Sequence, residues 1–255
     1  MDNTLSSKHA PYIREVPGAA QAVIMIHGIC STPRHFDWLL PEFDESWSVY
    51  NILLDGHGGS VSDFAETSMR KWKAQVHTLL ELLSHRYDSI LIIGYSLGTL
   101  LAMEAAPQYP KVKGLFLLNP PLRVWVKPRM ALRAIMLSQG KYDKNDRHAV
   151  ACKEDVSIQL TPSPLPYIKW TPRFIELLQL CKECQKQPIQ VPCYAYLGQQ
   201  DELVSTKTAK DLQENPLVTL RIFPSAGHFW FSPEDRQTIK NDLQLLCSQI
   251  TGNNK

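Results

Sequence analysis

The sequence lacks a long apolar run. No stretch of its 255 residues approaches the roughly 18 consecutive apolar residues that a membrane-spanning helix needs. The opening residues, MDNTLSSKHAPYIREVPG, also lack a basic segment that leads into an apolar stretch, so we expect no secretory signal. Together the two absences predict a cytoplasmic protein without a stable membrane anchor.

The sequence also has little net charge. Its 27 Lys and Arg residues nearly balance 25 Asp and Glu residues, which gives a formal charge of +2, and no block of like charges appears. We therefore expect no nucleic-acid partner. With 44% hydrophobic and 20% charged residues, the composition is that of an ordinary globular protein. The chain is long enough for a single α/β domain with a sizeable core.

The sequence has few cysteines, and they are irregularly spaced. This fits reduced thiols better than a disulfide framework. Cys181 and Cys184 form a CKEC pair that could suggest zinc or redox chemistry. However, the pair lies in a helical pattern, with no second pair and no strand before it. We expect all six to be free thiols: Cys30, Cys152, Cys181, Cys184, Cys193 and Cys247.

Apolar runs alternate with helical patterns in the first half of the chain. Because parallel strands need a crossover between them, this alternation predicts βαβ units and a mostly parallel, doubly wound sheet. At residues 31–40, Ser31 or Thr32 is a candidate N-cap and Pro33 a first helical residue, which predicts a helix. The strand-like runs are residues 22–28, 47–54, 90–94 and 112–121, and the helical patterns are residues 31–40, 68–83 and 97–106.

The alternation stops between residues 122 and 190. This stretch is too apolar for a linker and too irregular for more of the same sheet, so we interpret it as an inserted, partly helical cap. Strand and helix patterns return afterwards and end in a helix with Ser232 as N-cap. The sequence thus predicts an α/β core of residues 1–121 and 191–255, interrupted by a cap of residues 122–190.

The sequence GYSLG holds the first candidate catalytic residue, Ser96. By composition alone, a Gly-x-Ser-x-Gly match occurs by chance in about one chain of this length in a dozen. Here the motif follows a strand pattern and opens a helical pattern, as a nucleophile elbow requires. Gly94 and Gly98 would let strand and helix pack closely. Ser96 is therefore predicted at the carboxyl edge of the sheet, where open α/β folds bind ligands.

Two more residues at later strand ends complete a candidate triad. A serine hydroxyl needs a base, and His228 follows the last strand pattern in the segment SAGHFW. The base needs a carboxylate partner, and Asp201 follows the preceding strand pattern in LGQQDELV. Glu202 is the adjacent rival, and we favour Asp201 because it is shorter and closer to the strand end. The order Ser, Asp, His is the one expected of an α/β-hydrolase.

An oxyanion also needs hydrogen-bond donors. The backbone N–H of Leu97 lies at the start of the helix after Ser96. The loop HGIC after the first apolar strand offers the N–H of Ile29, and His27 and Gly28 would shape that turn. Zinc binding by His27 is an alternative, although no ligand partner is spaced for it.

These motifs resemble one family. HGIC, DGHGGS, GYSLG, the DELV aspartate and the AGH histidine are similar to those of α/β-hydrolase-fold serine hydrolases, specifically the compact bacterial carboxylesterases and monoacylglycerol lipases of the serine aminopeptidase-like group. The likeness covers roughly residues 22–250. It implies an oxyanion hole at Ile29 and Leu97, and the cap departs most from the family. By the same resemblance, the absence of a glycine-rich HGGG loop favours medium or long acyl chains over bulky alcohols.

The resulting hypothesis is a serine esterase that needs no metal or organic cofactor. Its partner would be a small-molecule ester, and the aromatic and methionine content of residues 122–190 favours an apolar acyl chain. A peptidase, an amidase or a carbon–carbon hydrolase could use the same site. The alternative from another class is a non-catalytic relative that binds a ligand, although no triad member or elbow glycine is missing.

Overall fold

A seven-stranded sheet forms the centre of the fold. The computed structural model describes residues 8–252, and its strands lie in the order β1-β3-β2-β4-β5-β6-β7. β1 pairs antiparallel with β3, and the other five pairings are parallel. This confirms the mostly parallel sheet. The strands are β1 Tyr12–Arg14, β2 Gln21–Ile26, β3 Ser48–Ile52, β4 Ser89–Tyr95, β5 Val112–Leu118, β6 Cys193–Gly198 and β7 Val218–Phe223.

Helices cover both faces of the sheet, so the central strands are apolar on both sides. On β2, Ile24 and Ile26 belong to one hydrophobic cluster, whereas Val23 and Met25 belong to the other. This confirms the doubly wound arrangement. The helices are α1 Val61–Ala65, α2 Met69–Arg86, α3 Leu97–Ala105, α4 Pro128–Ser138, α5 Arg147–Asp155, α6 Thr171–Cys184, α7 Thr208–Gln213 and α8 Pro233–Thr251.

Two helices begin where their capping residues predict. Ser68 accepts a hydrogen bond from the Lys71 N–H at the start of α2. Ser232 and Asp235 form a reciprocal capping box at the start of α8, with Pro233 as its first residue.

Within residues 8–252, no helix combines the length and apolarity needed to cross a bilayer.

The helix expected at residues 31–40 is wrong. Thr32 caps a 3₁₀ turn, Pro33–Phe36, and a second 3₁₀ turn follows at Leu40–Glu42. The backbone of this segment is closed by i→i+3 hydrogen bonds, such as those from the Asp37 N–H to the Arg34 carbonyl and from the Leu39 N–H to the Phe36 carbonyl, and Pro41 has no N–H to extend the series. The sequence patterns also missed β1 and α1, whose three and five residues are too few to show periodicity.

Residues 122–190 contain α4, α5 and α6, and no β-strand lies in this described stretch. α6 packs on the core, because Leu180 and Cys181 share a hydrophobic cluster with Leu100 of α3. The Cys184 thiol donates to the Leu100 carbonyl at 3.5 Å, and all six cysteines are free, as predicted. The assignment of the segment as a cap stays a prediction.

Candidate active site

Ser96 lies at the junction of β4 and α3, where strand turns into helix without a loop. Its backbone has φ 50° and ψ −118°, a conformation that L residues rarely adopt. Such a conformation costs about 1–3 kcal/mol and persists only when the surroundings enforce it. Here the Ser96 N–H donates to the Leu118 carbonyl at 2.9 Å, and the Thr99 N–H and hydroxyl both donate to the Ser96 carbonyl.

Glycines allow the backbones around Ser96 to touch. A Cβ atom on Gly98 would lie 1.8 Å from the Ile26 carbonyl oxygen at the end of β2. A Cβ atom on Gly94 would lie 2.6 Å from the Gly98 backbone, and one on Gly28 would lie 3.0 Å from Ser96 Cβ. The structure therefore brings together the three glycines that the sequence marked as supporting residues.

Ser96, His228 and Asp201 are joined by hydrogen bonds. His228 Nε2 lies 3.0 Å from Ser96 Oγ, and His228 Nδ1 lies 2.8 Å from Asp201 Oδ2. The carboxylate can only accept, so Nδ1 carries the proton and the neutral ring presents the Nε2 lone pair to the serine hydroxyl. All three side chains are at least nine-tenths buried. The arrangement can take a proton from Ser96 onto His228.

Asp201, rather than its rival Glu202, contacts the histidine. The second oxygen of Asp201 accepts the N–H groups of Leu203 and Val204 at 2.7 and 2.8 Å, which fixes the orientation of the carboxylate. Glu202 points elsewhere and lies 2.7 Å from Arg133. One oxygen of Asp201 therefore bonds the N–H groups of its own turn while the other bonds His228.

Electrostatics make His228 a stronger base than an isolated imidazole. Burial acts to lower the pKa of His228. This effect is outweighed by the charge and hydrogen bond of the Asp201 carboxylate, together with the charges of Asp155 and Glu202. The net pKa of His228 is raised above its ordinary value of 6.5. The His228 carbonyl accepts from the Tyr95 hydroxyl at 3.1 Å and from the Asn119 amide at 2.9 Å, which fixes the loop.

The loop after β2 lies beside Ser96 and is held by two neutral histidines. His27 Nε2 accepts the Leu54 N–H at 3.0 Å, and His27 Nδ1 donates to the Gly28 carbonyl at 2.8 Å. His57 Nε2 accepts the Cys30 N–H at 3.1 Å. Burial lowers the pKa of His57 to about 4 and that of His27 well below its ordinary value. Both nitrogens of His27 are thus engaged by backbone groups, which argues against its use as a metal ligand.

Two backbone N–H groups next to Ser96 are available as donors. Leu97 is the first residue of α3, so its N–H has no acceptor within the helix. The Ile29 N–H makes no hydrogen bond within the part of the chain that the structure describes. These are the two donors that the sequence singled out.

A second buried His–Asp pair lies close by, and sequence reasoning missed it. His35 Nδ1 is 2.8 Å from Asp155 Oδ1, and the His35 ring stacks on Tyr95 with centroids 3.5 Å apart. Tyr95 is also the donor to the His228 carbonyl. Position 35 and position 155 are 120 residues apart, so no local pattern signals their contact.

A model of the alpha/beta hydrolase family matches residues 23–239. The chain belongs to the alpha/beta hydrolase family. A thermostable monoacylglycerol lipase of Bacillus sp. (strain H-257) is 28% identical over 98 residues, which are 38% of this chain and 39% of the lipase. A pimeloyl-[acyl-carrier protein] methyl ester esterase of Neisseria meningitidis is 32% identical over 110 residues, 41% of this chain and 38% of the esterase. The matched segments thus span about two fifths of these relatives.

Two solved structures share the fold of this alpha/beta hydrolase over nearly the whole chain. A structure described under LipS and LipT, two metagenome-derived lipolytic enzymes, has a TM-score of 0.72 at 17% identity, and the match covers 94% of this chain and 98% of that one. A monoacylglycerol lipase of Paleococcus ferrophilus has a TM-score of 0.68 at 16% identity, with coverage of 94% and 98%. At these identities the likeness shows the fold alone.

Proposed function

We propose that the protein is a serine hydrolase that cleaves carboxylic esters through an acyl-enzyme. The observation that carries the proposal is the continuous hydrogen-bonded path from Ser96 Oγ through His228 to Asp201, at 3.0 and 2.8 Å. The names of two relatives, a monoacylglycerol lipase and a methyl ester esterase, support an ester as the substrate class.

The mechanism follows from the path of the proton. His228 Nε2 takes the hydroxyl proton as Ser96 Oγ attacks the ester carbonyl carbon, and the N–H groups of Ile29 and Leu97 stabilise the oxyanion. Collapse of the intermediate breaks the bond to the alcohol, which leaves with the proton from His228. A water molecule, deprotonated by the same nitrogen, then attacks the acyl-enzyme and releases the acid.

Exposed apolar side chains favour an apolar acyl group. Within residues 8–252, fourteen large hydrophobic residues are exposed, and nine of them lie between residues 122 and 190, including Trp125 and Leu165 at 66% and 71% exposure. This concentration fits a cap over a site for an apolar substrate. We therefore propose esters of medium or long acyl chains.

Amine recognition has less support. A peptidase would need a free carboxylate near the site. Of four acidic residues between residues 122 and 190 that could serve, Asp155 is paired with His35, Glu176 with Arg173 and Glu183 with Lys73, which leaves Glu154 without an ion pair among the described residues. In the experiment below, a carbon–carbon hydrolase would be labelled by a fluorophosphonate without turning over esters or amides, and a non-catalytic binding protein would do neither.

The test compares the wild type with Ser96→Ala on p-nitrophenyl esters of increasing acyl length, monoacylglycerols and aminoacyl amides. We expect ester turnover in the wild type and a loss of at least about 10³-fold in the variant. Amide cleavage without ester cleavage would favour a peptidase. No turnover, together with no labelling by a fluorophosphonate probe, would favour a non-catalytic protein.

A further inference from the structure

The segment between β5 and β6 is tied to the turn that carries Asp201. The Lys127 N–H donates to the Glu202 carbonyl, and the Trp125 N–H donates to the Leu203 carbonyl, each at 2.8 Å. Val124 and Val204 form an antiparallel bridge. The chain entering α4 thus runs alongside the residues that directly follow Asp201.

A buried ion pair strengthens this connection. Glu202 is fully buried, and its Oε1 lies 2.7 Å from an Arg133 nitrogen of α4 and 3.3 Å from Arg129 Nε. The other terminal nitrogen of Arg133 lies 2.8 Å from Asp146, the N-cap residue of α5. The Arg133 side chain is 10% exposed and Glu202 is fully buried, so solvent screens this pair little, whereas Asp146 is partly exposed.

The helix α5, whose N-cap residue Asp146 bonds Arg133, also contacts the loop that carries His228. The side chain of His148, in the first turn of α5, fills the space beside Gly227, where a Cβ atom would lie 2.4 Å from His148 Nδ1. The Arg147 guanidinium lies over the Trp230 ring, 4.1 Å from its centroid. α5 therefore contacts the histidine loop at the end where Asp146 is held by Arg133.

We propose that Arg133 is a positioning residue for the triad, which holds the Asp201 turn and the His228 loop in register through Glu202 and Asp146. The inference rests on the proposed function. Without Arg133, the Glu202 carboxylate would be buried with only the half-exposed Arg129 as a cationic partner. The turn would then shift to bring Glu202 to water, and Asp201, one residue earlier, would shift with it.

The test measures kcat and KM for Arg133→Met, Glu202→Gln and the double variant, together with the rate at which a fluorophosphonate labels Ser96. Arg123→Met is the matched control. Arg123 joins the same segment to the core through two contacts of 2.7 Å to Asp211, but it does not touch Glu202. Circular dichroism checks that each variant is folded.

For Arg133→Met we expect kcat to fall about 10- to 100-fold with KM within about twofold, because a small misplacement of the acid impairs chemistry more than binding. Because Arg133 acts through Glu202, the double variant should lose no more than the larger of the two single losses, and Arg123→Met should stay near the wild type. Wild-type kcat in Arg133→Met, an equal loss in Arg123→Met, or a double-variant loss equal to the product of the two single losses would each overturn the proposal.

A variant that fails to fold and a wild type that is inactive can each be told apart from a failed proposal. If Arg133→Met does not fold, Arg133→Lys replaces it, because lysine keeps the charge but lacks the planar fork that bonds two carboxylates at once. We then expect a lower kcat at unchanged KM, and wild-type kcat would overturn the role of Arg133. A wild type that neither turns over esters nor labels would instead refute the proposed function itself.

Discussion

Asp201→Asn should remove most of the activity by reversing the proton arrangement of His228. One Asp201 oxygen accepts two backbone N–H groups, from Leu203 and Val204, and the other faces His228 Nδ1. An asparagine would keep its carbonyl oxygen on the two N–H donors. Its NH₂ group would then face His228 Nδ1, which must give up its proton in order to accept.

The size of the effect follows from these contacts. Turning the amide the other way would forfeit two hydrogen bonds worth about 1 kcal/mol each and place donor against donor, so the stated orientation is favoured by about 30-fold or more. In it, His228 Nε2 carries the proton and cannot accept one from Ser96. We expect kcat to fall about 10⁴-fold, the loss typical of this change in triad enzymes.

The assay is ester hydrolysis at neutral pH on a purified, folded variant. Glu202→Gln is the companion variant, because Glu202 is the adjacent carboxylate but bonds Arg133 instead of His228. A larger loss in Glu202→Gln than in Asp201→Asn, or an Asp201→Asn enzyme within tenfold of the wild type, would refute the assignment of the acid.

Two more predictions concern pH and packing. Because the pKa of His228 lies above 6.5, kcat/KM should fall tenfold per pH unit below that pKa, as the ring gains a proton and stops accepting one; a profile flat down to pH 5 would contradict this. Gly98→Ala should cost about 3 kcal/mol or more of unfolding free energy by urea titration, because its Cβ would lie 1.8 Å from a backbone oxygen. In the control Gly114→Ala, the new Cβ would meet only side-chain ends of Ile250 and Leu246, so the cost should be less than about 1 kcal/mol. Equal losses of unfolding free energy in the two variants would contradict the claim that the close backbone contact at Gly98 excludes a side chain.

The sequence was most informative where a local pattern specifies a local structure. The run of apolar residues before Ser96 and the glycines on either side of it predict a strand that turns directly into a helix. The carboxyl ends of parallel strands share one edge of the sheet, so residues after later strands, such as Asp201 and His228, could be expected near Ser96. The structure brings these three side chains into contact.

Contacts between distant segments left no comparable signal. The pairing of His35 with Asp155 depends on how α5 packs against the loop after β2, and the pairing of Glu202 with Arg133 depends on how α4 packs beside the Asp201 turn. Residues 31–40 show a further limit, because Thr32 caps the segment as expected but i→i+3 hydrogen bonds form two 3₁₀ turns in place of a helix.

Locating a covalent adduct tests the role of Ser96 most directly. The protein is treated with a fluorophosphonate, digested, and sequenced by mass spectrometry, with His228→Gln as a folded control. We expect stoichiometric modification of Ser96 in the wild type and labelling at least about 10³-fold slower in the control. An adduct at another serine, or equal labelling of both proteins, would contradict the claim that Ser96 is a nucleophile activated by His228.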